Sequence, residues 1–257
     1  MQELARLCTA IMFLTRLPVG RFASGDPDVL SQSSRYFPLV GLIVGGLLCF
    51  AYLLVSYVFP TPVAVALLLL LSVLLTGAFH EDGMADIADS AGAFSLENKL
   101  DIMRDSRVGT YGALALILLV LMKFVSLESL ASADSRALFA AILSAHVLSR
   151  WSSVYLMARI PYARAEADNK VVTEGVNSHR LFEATIIAVL CLIFPGLLVG
   201  AGIFITLPLA FLLCLLAGSY FMSSFGGITG DCLGAFNQVV EVSVVLALVV
   251  WLSLIHI

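Results

Sequence analysis

Long apolar runs separated by short polar stretches set the rhythm of this chain. The first, residues 37–59, carries Gly41, Gly45 and Gly46 at spacings that let a second helix approach closely. Pro60 and Pro62 turn the chain, and residues 63–79 return at about 17 residues, the minimum that crosses a hydrocarbon core. Further runs occupy 111–131, 137–157, 181–200, 203–222 and the segment from 239 onward. Residues 1–18 read differently: Leu4, Leu7, Ile11 and Leu14 recur at helical spacing, but Arg6 and Arg16 interrupt them, as in a helix lying at the membrane interface. No small-residue cleavage site follows a clean apolar core there, so a cleaved signal peptide is not expected. The pattern predicts an all-α, polytopic transmembrane helix bundle of about 6–7 spans plus an amino-terminal interfacial helix, forming one integral membrane domain over 1–257.

Composition supports that pattern. With 60% hydrophobic and 12% charged residues and a mean hydropathy of +1.02, the chain has more apolar surface than a water-soluble core of 257 residues can hide. A net charge of −4 argues against nucleic acid as a partner. Cys8, Cys49, Cys191, Cys214 and Cys232 form no CxxC pair and predict neither a disulfide frame nor a zinc site. Lys and Arg divide unequally: 11 of 14 fall in the segments 1–36, 80–110 and 158–180. If the amino terminus is cytoplasmic these all face the cytoplasm, with Arg136 alone on the other side, and every polar loop that looks chemical opens on one face.

Residues 80–110 hold seven of the 18 acidic residues. Asp82, Asp86 and Asp89 are spaced i, i+4, i+7, within an arc of roughly 60° on a helix. Three like charges so close call for a counter-charge, and a hard divalent cation with oxygen ligands is the natural one. Asp101, Arg104, Asp105 and Arg107 follow, then Gly109 and Gly112; carboxylates beside guanidinium groups suit a metal-bound phosphate ester. In a soluble protein such a run reads as a solvated, salt-bridged face, but between two apolar spans charge is costly and tends to serve function. Arg150, inside a span near His146, calls for a polar cavity. The row of glycines from Gly226, with Thr229 and Asp231, can cradle phosphate with backbone amides or simply let helices pack. His80 is a candidate base or a polar neighbour of the carboxylates.

Three segments carry a resemblance. They are His80-Glu-Asp82-Gly83-Met-Ala-Asp86-Ile-Ala-Asp89, Met103-Arg104-Asp105-Ser106-Arg107-Val-Gly109-Thr110-Tyr-Gly112 and Gly226-Gly227-Ile-Thr229-Gly230-Asp231-Cys-Leu233-Gly234-Ala235. With Phe13-Leu-Thr15-Arg16-Leu-Pro18, Phe37-Pro38-Leu-Val-Gly41, Ser149-Arg150 and Tyr162-Ala-Arg164, the chain resembles, over nearly its whole length, the cobalamin synthase (adenosylcobinamide-GDP ribazoletransferase) family. Ser90 stands where that family usually has Gly, and Met84 where it usually has Leu; neither removes a carboxylate.

The resemblance implies that adenosylcobinamide-GDP is joined to α-ribazole or its 5′-phosphate with release of GMP, a Mg2+-dependent step of nucleotide-loop assembly at the bacterial inner membrane. Expected site residues are His80, Asp82, Asp86, Asp89 and Asp105 as catalytic groups. Arg104, Arg107, Arg150, Arg164, Thr229 and Gly230 are expected to hold phosphate, and Asp82, Asp86, Asp89, Asp105 and Asp231 the metal. Because Mg2+ demands near-octahedral ligation that one helix face cannot close, Asp105 and Asp231 are expected to share a cavity with the Asp82 helix. The expected partners are these small molecules and the lipid bilayer; a homo-oligomer is left open.

Rival classes fit less well. A CDP-alcohol phosphotransferase would have Arg where Asp86 follows Ala85, and a prenyltransferase would carry a second aspartate-rich motif that Gly226 to Asp231 matches poorly. A transporter would place acidic residues at mid-membrane, whereas here they cluster at one face. The last six residues, 252–257, read LSLIHI, the translation of a transposon end used in sequencing libraries. They are expected to be foreign to the natural protein, and no role is expected for His256.

Overall fold

Each apolar run becomes a helix. The computed structural model describes residues 2–105, 107–163 and 176–255, and these fold into α1 (Gln2–Leu14), α2 (Pro27–Ser33), α3 (Phe37–Val55), α4 (Thr61–Thr76), α5 (Phe79–Ser90), α6 (Leu96–Ile102), α7 (Thr110–Ala133), α8 (Ser135–Arg159), α9 (Ser178–Val199), α10 (Ile203–Phe225) and α11 (Gly230–Ile255). Among the described residues there is no strand, only one isolated parallel bridge between Tyr162 and Ile228. The fold is an all-α polytopic bundle, as the pattern predicts.

Helix α8 is the central pillar, and its composition explains why. Its hydropathy is the lowest of the candidate spans, 1.2 against 2.0–2.7 for the others, yet 94% of its most apolar window is buried. A helix that never meets lipid needs small residues rather than greasy ones, and Ala140, Ala141, Ser144, Ala145, Ser149 and Ser152 let its neighbours approach. The approach of α3 is so close that a Cβ at Gly41 would collide with the backbone carbonyl of His146, and one at Gly45 would lie 3.2 Å from Leu143 Cα. Gly46, on the other side of α3, meets nothing.

Five helical stretches are long and apolar enough to cross a membrane, or six if α4 and α5 count as one bent span. One of the five, Ser178–Phe225, is 48 residues long. As a straight helix it would extend about 72 Å, more than twice a hydrocarbon core of ~30 Å, so the turn Gly200–Gly202 must fold it back into α9 and α10. The contacts of the two ends agree. Gly202 lies against the Trp251 ring near the far end of α11, while Ile228, just beyond α10, donates its N–H to the Pro161 carbonyl at the near end. From Gly230 to Trp251 is about 31 Å along the helix, the thickness of a hydrocarbon core.

On the Gly230 side the amino-terminal helix is tied down by charge. Glu3 accepts from Arg6, Arg35 and Tyr36, and Arg35 also pairs with Glu183 of α9 at 2.8 Å. Two boundaries differ from the sequence pattern for local reasons. The run expected at 63–79 stops at Thr76, because Gly77 and Ala78 both turn left-handed. The last helix begins at Gly230, not near 239, because Thr229 caps it: its hydroxyl accepts the Cys232 N–H at 3.2 Å.

Candidate active site

The acidic helix is aimed by the break that precedes it. Gly77 (φ 69°) and Ala78 (φ 60°) bend the chain by 90° between α4 and α5, and Ala78 is the one non-glycine residue with positive φ among the described residues. An L-residue held there is strained, and such strain gathers near functional sites. The bend lays α5 across the start of α11. A Cβ at Gly83 would lie 2.7 Å from the Asp231 carbonyl, and one at Gly234 3.3 Å from the Phe79 carbonyl, so the two backbones touch only because neither residue has a side chain. Asp82, next to Gly83, is thereby brought to Asp231.

These two carboxylates line one cavity of about 200 Å3. His80 and Phe79 of α5 contribute to it, with Gly230 and Gly234 of α11, Ser153 and Met157 of α8, and Tyr162 beyond it. Phe13 and Phe37 form a further wall, stacked with centroids 5.8 Å apart, and Phe79 meets Phe13 edge-on. The cavity thus has an acidic, polar side and an aromatic side suited to a planar ring. Gly230 opens α11 with its backbone exposed, and the partial positive charge of a helix amino terminus favours an anion there.

The glycine-rich segment is held by the α8 exit. Ala163 N–H donates to the Ile228 carbonyl and Ile228 N–H to that of Pro161, each at 2.9 Å, and a Cβ at Gly227 would strike the Pro161 carbonyl. Thr229 is buried, with its hydroxyl within 3.4 Å of an Asp231 oxygen as well as capping the helix, so it shapes the loop rather than facing the cavity.

The remaining expected residues separate. Asp86 stays on the face of Asp82, half-buried. Asp89 reaches across to α7: its oxygens accept the Gly109 N–H at 2.7 Å and the Gly112 N–H at 2.8 Å, closing that helix's amino terminus. Asp101 pairs with Arg104, and Asp105 with Arg107, on exposed chain outside the cavity. Hydrogen bonds from the Arg107 guanidinium hold the Asp105 carboxyl below the usual carboxylate range, and the same contact raises Arg107. The expected shared cavity therefore holds for Asp231 and not for Asp105, because the α6–α7 connection is anchored at the Asp89 end of α5, about 10 Å along the helix from Asp82. Arg164 lies outside the described residues, as does His256. Among the described residues no three His, Cys, Asp or Glu side chains are gathered as a ready metal cage.

The model of the cobalamin-5-phosphate synthase family matches residues 6–249. A protein of Shewanella amazonensis named adenosylcobinamide-GDP ribazoletransferase is 40% identical over 251 residues, covering 96% of this chain and 95% of the relative. Proteins with the same name from Ralstonia nicotianae and Shewanella frigidimarina are 40% and 37% identical, covering 96% and 94% of this chain and 95% and 93% of their own. No solved structure matches. The chain belongs to the cobalamin-5-phosphate synthase family. Membership makes it a transferase of cobalamin synthesis and sets aside the phosphotransferase, prenyltransferase and transporter readings.

Below the cavity this family member holds a second polar cluster that the sequence pattern did not reveal as one. Glu241 of α11 accepts from Lys123 of α7 at 2.6 Å and from Arg150 of α8, and lies 3.1 Å from His146 Nδ1. Arg150 Nη1 further contacts His146 Nδ1 at 2.7 Å and donates to Ser149 at 2.9 Å, and Lys123 also donates to Gln238. Arg150 is 1% exposed and is committed to this cluster rather than to the cavity. Glu241, about 16 Å along α11 from Gly230, sits near mid-membrane. Its signal was present: Gln238 and Glu241 share a helix face in an otherwise apolar run, and Lys123 and Arg150 each interrupt another.

Proposed function

We propose that this chain joins adenosylcobinamide-GDP to α-ribazole, or to α-ribazole 5′-phosphate, and releases GMP. The observation that carries the reading is the cavity in which Asp82 and Asp231 approach from two helices beside the exposed start of α11. The 3′-oxygen of the ribazole bonds to the phosphorus nearer the corrinoid. The bond from that phosphorus to the bridging oxygen breaks, and this oxygen leaves with GMP; the hydroxyl proton departs to water at the cavity mouth. The α11 amino terminus receives a phosphate oxygen, and Phe13, Phe37 and Phe79 offer faces and edges to the planar base of the ribazole.

Two carboxylates lining one cavity, with room left for water and phosphate oxygens, suit Mg2+, which is usually held by one or two carboxylates plus its phosphate ligand. Asp82 and Asp231 would hold it, with Asp86 one turn further along the same face, and it would supply charge neutralisation at the pyrophosphate. Asp89 acts at a distance by fixing α7.

The site faces the cytoplasm of a bacterial inner membrane in this reading, supported by the 11 of 14 basic residues on that side. Sealed membrane vesicles test both parts. Inside-out vesicles given adenosylcobinamide-GDP, α-ribazole and Mg2+ should form cobalamin and GMP, while right-side-out vesicles should not until permeabilised. Folded protein that forms neither product in either orientation refutes the transfer, and product from intact right-side-out vesicles alone refutes the orientation.

A further inference from the structure

None of the described residues that line the cavity is Lys or Arg, so a substrate phosphate held away from Asp82 and Asp231 meets no protein cation among them. Arg16 stands beside that lining. Thr15 donates its N–H to the Ile11 carbonyl at 2.9 Å, carrying the α1 spiral past Leu14, and the Arg16 N–H turns to the Leu75 carbonyl of α4 at 2.7 Å. These bonds fix the Arg16 backbone nearly one turn beyond Phe13 of the aromatic wall. The side chain lies flat over Gly77: a Cβ there would strike Arg16 Nε and sit 3.1 Å from both Cγ and Cζ. Glycine is thus required at 77 twice over, for its φ of 69° and for the arm that crosses it.

Two anchors place the guanidinium. Gly77 is separated from Phe79 by at most about 8 Å of chain, and Phe79 meets Phe13 edge-on in the wall. Asp82 lies on the other side of Phe79, nearly one turn along α5. Arg16 and Asp82 therefore flank the aromatic wall, a cation at one end and a carboxylate at the other. Arg16 is exposed, and its side chain makes no hydrogen bond or ion pair with a described residue. An arginine whose task was to close the end of α4 would spend its N–H groups on the last carbonyls of that helix, and this one does not. What it offers is a planar fork of donors that matches a phosphate.

We propose that Arg16 is a specificity-determining residue that binds the 5′-phosphate of the incoming ribazole, a phosphate monoester, and so favours α-ribazole 5′-phosphate over α-ribazole. The inference rests on the transfer reaction proposed above. With the base on Phe13 and Phe79 and the 3′-oxygen turned to Asp82 and Asp231, the 5′ carbon, on the opposite face of the ribose ring, points away from those carboxylates. Arg16, at the far end of the wall, receives its phosphate. The pyrophosphate and the monoester then have separate counter-charges, and a nucleotide held at both ends aims its attacking hydroxyl.

Initial rates with each ribazole test this, measured on the full chain in liposomes with adenosylcobinamide-GDP saturating and Mg2+ present. The unmodified protein should show a KM for α-ribazole 5′-phosphate roughly tenfold below that for α-ribazole, the weaker end of a hydrogen bond to a charged group because Arg16 is exposed and screened. Arg16→Gln should raise the first KM about tenfold more than the second, with no shift in melting. Arg16→Lys, which keeps the charge and loses the fork, should retain a preference of about threefold. A merely structural arginine would raise both KM values alike, and one engaged by a lipid phosphate would leave their ratio as it was; either result overturns the assignment. An unmodified protein that treats the two ribazoles equally overturns it without need of any variant. Failure to release GMP with either ribazole refutes the reaction itself, a result distinct from a lost preference.

Discussion

Two charged regions of this protein are built from the same residue types and behave oppositely. At the end of α6 and on the connection to α7, Asp101, Arg104, Asp105 and Arg107 pair with near neighbours in sequence, and the Arg107 side chain is 87% exposed. In the membrane interior, Lys123, His146 and Arg150 meet Glu241 from three helices, with the carboxylate side chain 5% exposed. Water screens the first set and each partner can be hydrated alone, so the pairs contribute little to stability. The second set has no solvent to fall back on, and each charge depends on the others. Charge density in the sequence therefore marks where polar groups are plentiful, while burial decides which of them are indispensable.

The largest effect is expected from breaking the interior cluster. Glu241→Gln leaves Lys123 and Arg150 without their counter-ion and should destabilise the protein by about 3–5 kcal/mol, read as thermal unfolding in detergent. Replacing Lys123 and Arg150 by Met together with Glu241→Leu should recover most of that loss, since apolar groups of similar volume avoid the uncompensated charge. Equal instability of the single and triple variants would show that the cluster matters for shape and not for charge.

Next come the carboxylates of the acidic helix, which the sequence presents as equivalent. Asp82→Asn and Asp231→Asn should each cost on the order of 10²-fold in GMP release with unchanged melting, because several kcal/mol of charge stabilisation are at stake. Asp89→Asn should do the reverse: it loses one of two helix-capping acceptors, costing about 1 kcal/mol of stability, with a rate loss of less than about tenfold. Similar rate losses at Asp82 and Asp89 would merge the two roles. The smallest effect belongs to the exposed pair. Asp105→Asn with Arg107→Gln should produce no measurable melting shift, and a strong loss of turnover would instead mean that this connection closes over the cavity when substrate binds.

Much of the protein was legible in its sequence. Apolar run length gave the helices, because a backbone in lipid must satisfy its own hydrogen bonds. The i, i+4, i+7 spacing put Asp82, Asp86 and Asp89 on one face, and Gly41 and Gly45 announced the contact with α8. These are local properties, set by helical period and residue size. Three things were decided only in the folded chain. The left-handed pair Gly77 and Ala78 turned α5 across α11, joining Asp82 to Asp231, which stand 149 positions apart. The anchoring of Asp89 on Gly109 and Gly112 kept Asp105 out of the cavity. And Glu241, one carboxylate in an apolar run, became the common partner of Lys123, His146 and Arg150. A helix period fixes which side chains share a face but not which face of another helix they will meet; that choice is made by side-chain packing and by the cost of leaving a buried charge alone.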